Sequence, residues 1–230
     1  MKYKAYIFDV YGTLFDVYSV SNACSKYFAD RGDHISRLWR QKQLEYCFLR
    51  QLMGAYIPFH EITKQALQFV CESLQVSLTD KIAEDLLNAY HFLSPYPEAK
   101  EVLQALKDET LVVFSNGSPD MLLPLFDNTG LTEYFDYIIS VDEVKQYKPS
   151  PSAYQHAASR LNVNREEVLF LSSNTWDISG ASKFGFQTAW INRTNNVMDF
   201  LDVTPDYTFA NLLELTEHLK RYLISVKETE

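Results

Sequence analysis

Cysteine is scarce in this 230-residue chain, and what there is cannot form a framework. Cys24, Cys47 and Cys71 are odd in number, and no two are spaced as C-x-x-C. A disulfide-stapled secreted module is excluded on that count, and a structural zinc site would need a better-spaced set of Cys and His. Long apolar runs are also missing. The opening residues Met1-Lys2-Tyr3-Lys4-Ala5 pass straight into a strand-like stretch without the apolar region of a signal peptide, and no run reaches membrane-spanning length. Excess positive charge is absent too, since 21 Lys and Arg face 30 Asp and Glu, a formal net charge of −9. That balance argues against nucleic acid as a partner, because phosphate contacts need clustered cations. A local basic pocket for a small anion stays open. Repeats and low-complexity segments are lacking as well. The expectation is a soluble, cytoplasmic protein with reduced thiols.

What is present is a large apolar fraction, 47% of residues, enough to bury a full core. Short apolar runs alternate with helical patterns, which predicts an α/β chain with a mainly parallel sheet covered by helices. The expected strands are Ala5–Val10, Leu111–Ser115, Tyr137–Val141, Val168–Ser172 and Thr188–Ile191, with a sixth at Tyr207–Phe209. Thr79 is placed to cap a helix over Asp80–Phe92. Asn211 and Glu214 have the spacing of a capping box, and Gly185 is placed to stop a helix that begins near Asp177. Residues 16–95 are helical in character and far longer than an ordinary connection. Leu38, Trp39, Leu44, Phe48, Leu49 and Leu52 recur there near helical spacing. The predicted organisation is a Rossmann-like α/β core of residues 1–15 and 96–230, with residues 16–95 as a helical cap lobe over the crevice.

Several expected strands end in polar clusters, and in open α/β sheets the carboxyl ends of the strands form the ligand crevice. Phe8-Asp9-Val10-Tyr11-Gly12-Thr13-Leu14 places a carboxylate at the end of a buried strand, where it is costly unless paired. Gly12 permits a tight turn, and Thr13 can donate to an anion. Ser115-Asn116-Gly117-Ser118-Pro119 offers donors at a helix entrance. Lys148 precedes a proline pair, from where its ammonium could reach a strand-end carboxylate. Asp177 follows Ser172-Ser173-Asn174-Thr175-Trp176 at a helix start, where a carboxylate is favourable anyway. Taken singly, these segments have plainer readings: a strand-end Asp capping a turn, an N-cap turn, a solvated loop lysine, a dipole-matched Asp.

Together and in this order they resemble the four motifs of the haloacid dehalogenase superfamily. The likeness narrows further. The stretches Asp9–Val17, Leu38–Tyr46, Ser115–Pro119 and Ser172–Asp177, and the run from Phe184-Gly185-Phe186 to Trp190-Ile191-Asn192-Arg193, are similar to the L-2-haloacid dehalogenases over nearly the whole chain. Phosphatases of the superfamily carry a second Asp two residues after the nucleophile; here that position is Tyr11. They also place carboxylates after the fourth strand, where this chain has Ser172-Ser173-Asn174. Magnesium favours carboxylate-rich oxygen ligands, so Asp9 and Asp177 alone make a poor site.

The resemblance implies a metal-free and cofactor-free hydrolysis of short L-2-haloalkanoic acids to D-2-hydroxyalkanoic acids and halide, through an ester on Asp9. It implies catalytic roles for Asp9, Thr13, Arg40, Lys148, Tyr154, Ser172, Asn174 and Asp177. Ser115 and Asn116 are expected to bind the substrate carboxylate and Arg40 to receive the halide. Tyr11, Gln41, Leu44, Phe59 and Trp176 are expected to shape the pocket. The expected partners are the small-molecule 2-haloacid and a second copy of the chain in a homodimer, with no nucleic acid and no membrane. Two other readings stay open at this point: a magnesium-dependent small-molecule phosphatase, and a non-enzymatic binding protein that keeps the fold.

Overall fold

The computed structural model describes the backbone of residues 3–227 and the side chains of residues 3–220. Its centre is a six-stranded parallel sheet of β1 (Ala5–Phe8), β4 (Leu111–Ser115), β5 (Tyr137–Ser140), β6 (Val168–Ser172), β7 (Gln187–Ile191) and β8 (Tyr207–Phe209), ordered β5-β4-β1-β6-β7-β8. β1, β4 and β6 are buried along their whole length, as strands covered on both faces must be. Helices α5 (Ala99–Ala105), α6 (Pro119–Thr129), α7 (Pro151–Leu161), α8 (Thr175–Phe184) and α9 (Leu212–Lys227) connect or follow the strands. The chain leaves β1 for β4 and β5 on one side and returns to β6 on the other. The strand order therefore reverses beside β1, and the crevice opens at that strand's carboxyl end.

The expected strands are all found, with edges moved. β1 stops at Phe8 because the Val10 carbonyl turns to accept from the backbone N–H groups of Thr13, Leu14 and Phe15. β5 stops at Ser140, whose hydroxyl accepts from Asp142 N and starts a tight turn. A small antiparallel ribbon, β2 (Phe15–Asp16) with β3 (Ser94–Pro95), was not foreseen; two residues per strand leave no periodicity to read. Between its strands run α1 (Ser21–Phe28), α2 (Gly32–Met53), α3 (Phe59–Ser73) and α4 (Asp80–Asn88). Thr79 does cap α4, accepting from Ile82 N, but the regular helix ends at Asn88 and Ala89–Phe92 tightens into a 3₁₀ turn. Asn211 accepts from Leu213 N and Glu214 N, whereas Glu214 reaches back to Ala210 N rather than to Asn211, so the capping box is only half formed. Gly185 ends α8 with φ of +109°.

α2 departs most from its apolar pattern. Its buried face is Ile35, Ser36, Trp39, Arg40, Gln43 and Cys47, while Leu49, Leu52 and Met53 are exposed, Leu52 by 83%. The buried polar residues there are tied into the lobe. Gln43 Nε2 donates to Thr63 Oγ1 and Tyr90 Oη, and Trp39 Nε1 donates to the Thr63 carbonyl at 2.7 Å. Among the described residues no helix is long and apolar enough to cross a membrane.

Candidate active site

Asp9 lies one residue beyond β1, still anchored by its N–H to the Leu171 carbonyl at 2.9 Å. Its side chain is buried, which requires matching charge and hydrogen bonds. Lys148 Nζ approaches Oδ1 at 2.9 Å. Oδ2 accepts from Asn174 Nδ2 at 2.8 Å, Thr13 Oγ1 at 3.2 Å and Ser172 Oγ at 3.4 Å. Thr13 in turn accepts from Ser173 N at 2.8 Å, which ties the turn after β1 to the turn after β6. Gly12 makes that approach feasible: with φ of +90°, a Cβ there would stand 2.8 Å from Ser173 Oγ.

Lys148 is wholly buried, and each of its three N–H groups has an acceptor: Asp9, Asp177 Oδ2 at 2.6 Å and the Phe114 carbonyl at 3.0 Å. Burial alone pushes the lysine pKa down, but the two carboxylates outweigh it and hold the ammonium above its ordinary value. Asp177, third residue of α8, also accepts from Tyr154 Oη at 2.7 Å. Burial lifts its carboxyl to about 6, with the Asp9 charge adding and Lys148 and Tyr154 pulling the other way. The direction is physical: two carboxylates share one cation, so the buried group has a negative charge left over. Gly180, one turn along α8, lets Tyr154 in, since a Cβ there would lie 2.5 Å from both Tyr154 Oη and Pro149 Cβ.

A second, differently built region faces this one. Arg40 is buried on α2 with its guanidinium 5.7 Å from the Tyr11 ring centroid, and it has no ion pair or side-chain hydrogen bond among the described residues. Tyr11 stacks on Phe59, and its hydroxyl is buried without a partner. Burial drives the phenol pKa well above its ordinary value, so this hydroxyl is a neutral donor. Trp176, 6.0 Å from the Lys148 ammonium, packs on Phe48 and also keeps a buried, unpartnered Nε1–H. Unmade donors are expensive in a protein interior. Their collection around one crevice is the property of a site that receives an acceptor or anion.

Not every expected residue arrives. Gln41 stands exposed on α2, one helical step round from Arg40, with no hydrogen bond to the group among the described residues. Leu44 is half-buried one turn beyond Arg40. Ser115 and Asn116 both lie buried, and both also serve the chain itself. Ser115 Oγ is wholly buried and accepts from Gly117 N at 3.0 Å. Asn116 Oδ1 accepts from Lys148 N at 2.8 Å, while Nδ2 donates to the Lys148 carbonyl at 3.2 Å and to Cys47 Sγ at 3.5 Å. A buried amide beside an irregular segment satisfies that segment's backbone, and here it fixes Lys148. Sequence reasoning missed Cys47, Phe48, Gln51, Tyr90 and Ser173 around the group. Cys47 and Gln51 repeat Arg40's helical face at i+7 and i+11, the one cue that was available.

The donor set does not suit magnesium. Asn174 Nδ2 donates to both Asp9 Oδ2 and the Tyr11 carbonyl, at 2.8 and 3.1 Å. An amide donor, not a further oxygen ligand, thus lies between those two oxygens, and Asp177 is already held by Lys148 and Tyr154. Among the described residues no group of three or more His, Cys, Asp or Glu is arranged to hold a metal.

A parallel sheet whose order reverses beside β1, with a lysine-paired carboxylate at that strand's end, defines a Rossmann-like α/β fold with its crevice at the switch point. The chain belongs to the haloacid dehalogenase-like hydrolases, whose family model matches residues 3–185. It is 45% identical to (S)-2-haloacid dehalogenase 2 of Pseudomonas sp. (strain CBS-3) over 92% of this chain and 93% of that one. Haloacetate dehalogenase H-2 of Moraxella sp. (strain B) is 44% identical over 90% of this chain and 93% of its own. Among solved structures, L-2-haloacid dehalogenase from Xanthobacter autotrophicus superposes with a TM-score of 0.92 at 37% identity, covering 95% of this chain and 98% of that one. The same enzyme with chloropropionic acid covalently bound superposes with a TM-score of 0.91 at 36% identity, covering 95% and 98%.

Proposed function

We propose that this protein is an (S)-2-haloacid dehalogenase that converts short L-2-haloalkanoic acids to D-2-hydroxyalkanoic acids and halide without metal or cofactor. The observation that carries the reading is the buried, unpaired Arg40 over Tyr11, in a crevice whose carboxylate is already matched by Lys148. A carbon–halogen bond needs no proton on its leaving group, only stabilisation of the emerging halide, and a guanidinium within apolar walls supplies it. A phosphatase would need a proton donor for the leaving alkoxide, and Tyr11 stands where that acid belongs.

In the proposed reaction an Asp9 carboxylate oxygen attacks C2 from the side opposite the halogen. The new C–O bond forms as the C–halogen bond breaks, the carbon inverts, and halide departs toward Arg40. Water then attacks the Asp9 carbonyl carbon, and the acyl C–O bond breaks to expel the alkoxide, which takes the proton that Asp177 received from the water and leaves as the hydroxy acid with its inverted configuration. Asp177, with its carboxyl raised to about 6, is matched to take the water proton near neutral pH. Lys148 balances the charge, Tyr154 orients Asp177, and Thr13, Ser172 and Asn174 hold Asp9. Tyr11, Leu44, Phe59 and Trp176 wall the pocket. The covalently bound chloropropionic acid in the Xanthobacter enzyme supports an ester route.

We further propose that residues 16–95 act as a cap over a core of residues 1–15 and 96–230. The exposed Leu49, Leu52 and Met53 of α2 and Phe69 of α3 support a homodimer through that face. The three buried, unpaired thiols suit a reducing, cytoplasmic setting.

The test is halide release from L-2-chloropropionate in excess chelator, beside phosphate release from an aryl phosphate with magnesium. Metal-free halide release with the D-enantiomer inert is expected. Magnesium-dependent phosphate release without halide would overturn the reading. In a single turnover in heavy-oxygen water the label should enter Asp9 first.

A further inference from the structure

Lys148 holds Asp9 and Asp177 together, yet it sits in neither helix nor strand. Its segment has no ladder to satisfy its backbone, so side chains must do so. Asn116 takes both backbone groups of Lys148 from the core side. The preceding N–H, that of Tyr147, donates at 2.7 Å to Oε1 of Gln51, a residue of α2. Gln51 Nε2 donates at 2.8 Å to Gln146 Oε1, so one amide grips two consecutive residues immediately before Lys148. Tyr147 is buried, and its hydroxyl donates to the Ile57 carbonyl at 2.6 Å, which closes the same contact from the loop that follows α2.

Gln51 follows Arg40 by eleven residues, three helical turns, and therefore shares its face. Cys47 between them on that face touches Asn116. One rigid helix thus presents Arg40 to the Tyr11 end of the crevice and Gln51 to the lysine segment. We propose that Gln51 is a positioning residue that sets the register of α2, and with it Arg40, against the Lys148–Asp9 pair. The inference rests on the dehalogenase reading above. In an in-line displacement the nucleophile and the group receiving the halide must be correctly spaced at one moment, and small misplacements cost rate rather than binding.

The experiment measures kcat and KM for chloride release from L-2-chloropropionate, with the pre-steady-state burst, in the full-length wild type and in Gln51→Leu and Gln51→Glu. Leucine fills the space but leaves the Tyr147 N–H without an acceptor. Glutamate keeps the acceptor, and the Gln146 amide can turn to donate to its other oxygen. The leucine variant should lose about tenfold in kcat and burst rate with KM little changed, and the glutamate variant should return to within about twofold of wild type. If the leucine variant does not fold, Gln51→Ala, which leaves room for water at the Tyr147 N–H, carries the same comparison. Wild-type kcat in the variant lacking the acceptor overturns the proposal, as does a loss that glutamate fails to restore. Absence of chloride release from the wild type would instead remove the dehalogenase reading, whatever Gln51 does.

Discussion

Lys148 and Asp177 are joined across 2.6 Å with neither side chain exposed to solvent. Asp9 takes the opposite side of the same ammonium at 2.9 Å, so the lysine is shared between the carboxylate proposed to attack substrate and the one proposed to activate water. One cation cannot neutralise two anions. The residual charge, on top of burial, keeps Asp177 protonatable at about 6, and this governs how the site should respond to pH and to substitution.

Activity should fall on the acid side as Asp177 takes up its proton, because a protonated carboxyl cannot accept one from water. Tyr154 donates to the ionised form at 2.7 Å and so holds that carboxyl lower than it would otherwise be. Tyr154→Phe should therefore move the acidic limb of the kcat profile to higher pH. A limb that stays in place or moves down in a pH–rate series would contradict the assignment of Asp177 as the base.

Lys148→Met should leave Asp9 and Asp177 facing each other without a cation. Breaking one partner out of a buried ionic group costs about 3–5 kcal/mol. One carboxyl would be pushed above its unfolded value, so the deficit should be largest at neutral pH and shrink as pH falls and that carboxyl is protonated. Urea unfolding of variant and wild type at pH 7.5 and pH 5 reads the difference; a deficit independent of pH would count against the shared-cation account.

Arg40→Lys should be no conservative change. A planar guanidinium lies over the Tyr11 ring, and a lysine replaces it with a compact, strongly hydrated charge. Loss of one stabilising donor for developing charge typically costs roughly 10²–10³-fold in kcat. Steady-state halide release checks this, and near wild-type turnover would sink the role given to Arg40.

Gly180→Ala should disturb the site from behind. The added methyl would stand 2.5 Å from Tyr154 Oη and Pro149 Cβ, so one or both must shift. Overpacking of this kind costs about 1–3 kcal/mol, and displacement of Tyr154 should carry the same upward pH shift as Tyr154→Phe. Thermal unfolding with a pH–rate profile tests both halves.

Leu52→Glu should weaken self-association while leaving the monomer folded, since Leu52 is 83% exposed on α2. Sedimentation of the wild type should give a dimer and of the variant a lighter species. A wild type that sediments as a monomer would remove the proposed interface.

Much of this arrangement was legible in the residues. The six strands of the sheet were found because buried parallel strands are short β-branched and aromatic runs. Asp9 stood out because a carboxylate at a buried strand end demands a partner, and Lys148 and Asp177 through the order of motifs that resembles the haloacid dehalogenase superfamily. The two-residue ribbon β2–β3 carried too few residues to register. α2 was recognisable as a helix, but its apolar positions do not mark out its buried face: Trp39 is buried and Leu38 and Phe48 pack on the core, whereas Leu49 and Leu52 look outward and Arg40, Gln43 and Cys47 look in. Charge and hydrogen-bond demand, supplied by other elements, decided that orientation.

The sequence by itself determined the α/β order, the strand ends on which the chemistry is placed, and the identities that favour halide over phosphate, because these depend on local pattern and residue type. Only the tertiary structure decided which donors remain unspent. The Asn116 amide is spent on the backbone of Lys148, whereas Arg40, Tyr11 and Trp176 are left without partners. That division depends on which segments happen to lie within about 3 Å of each other, and separation along the chain carries no record of it.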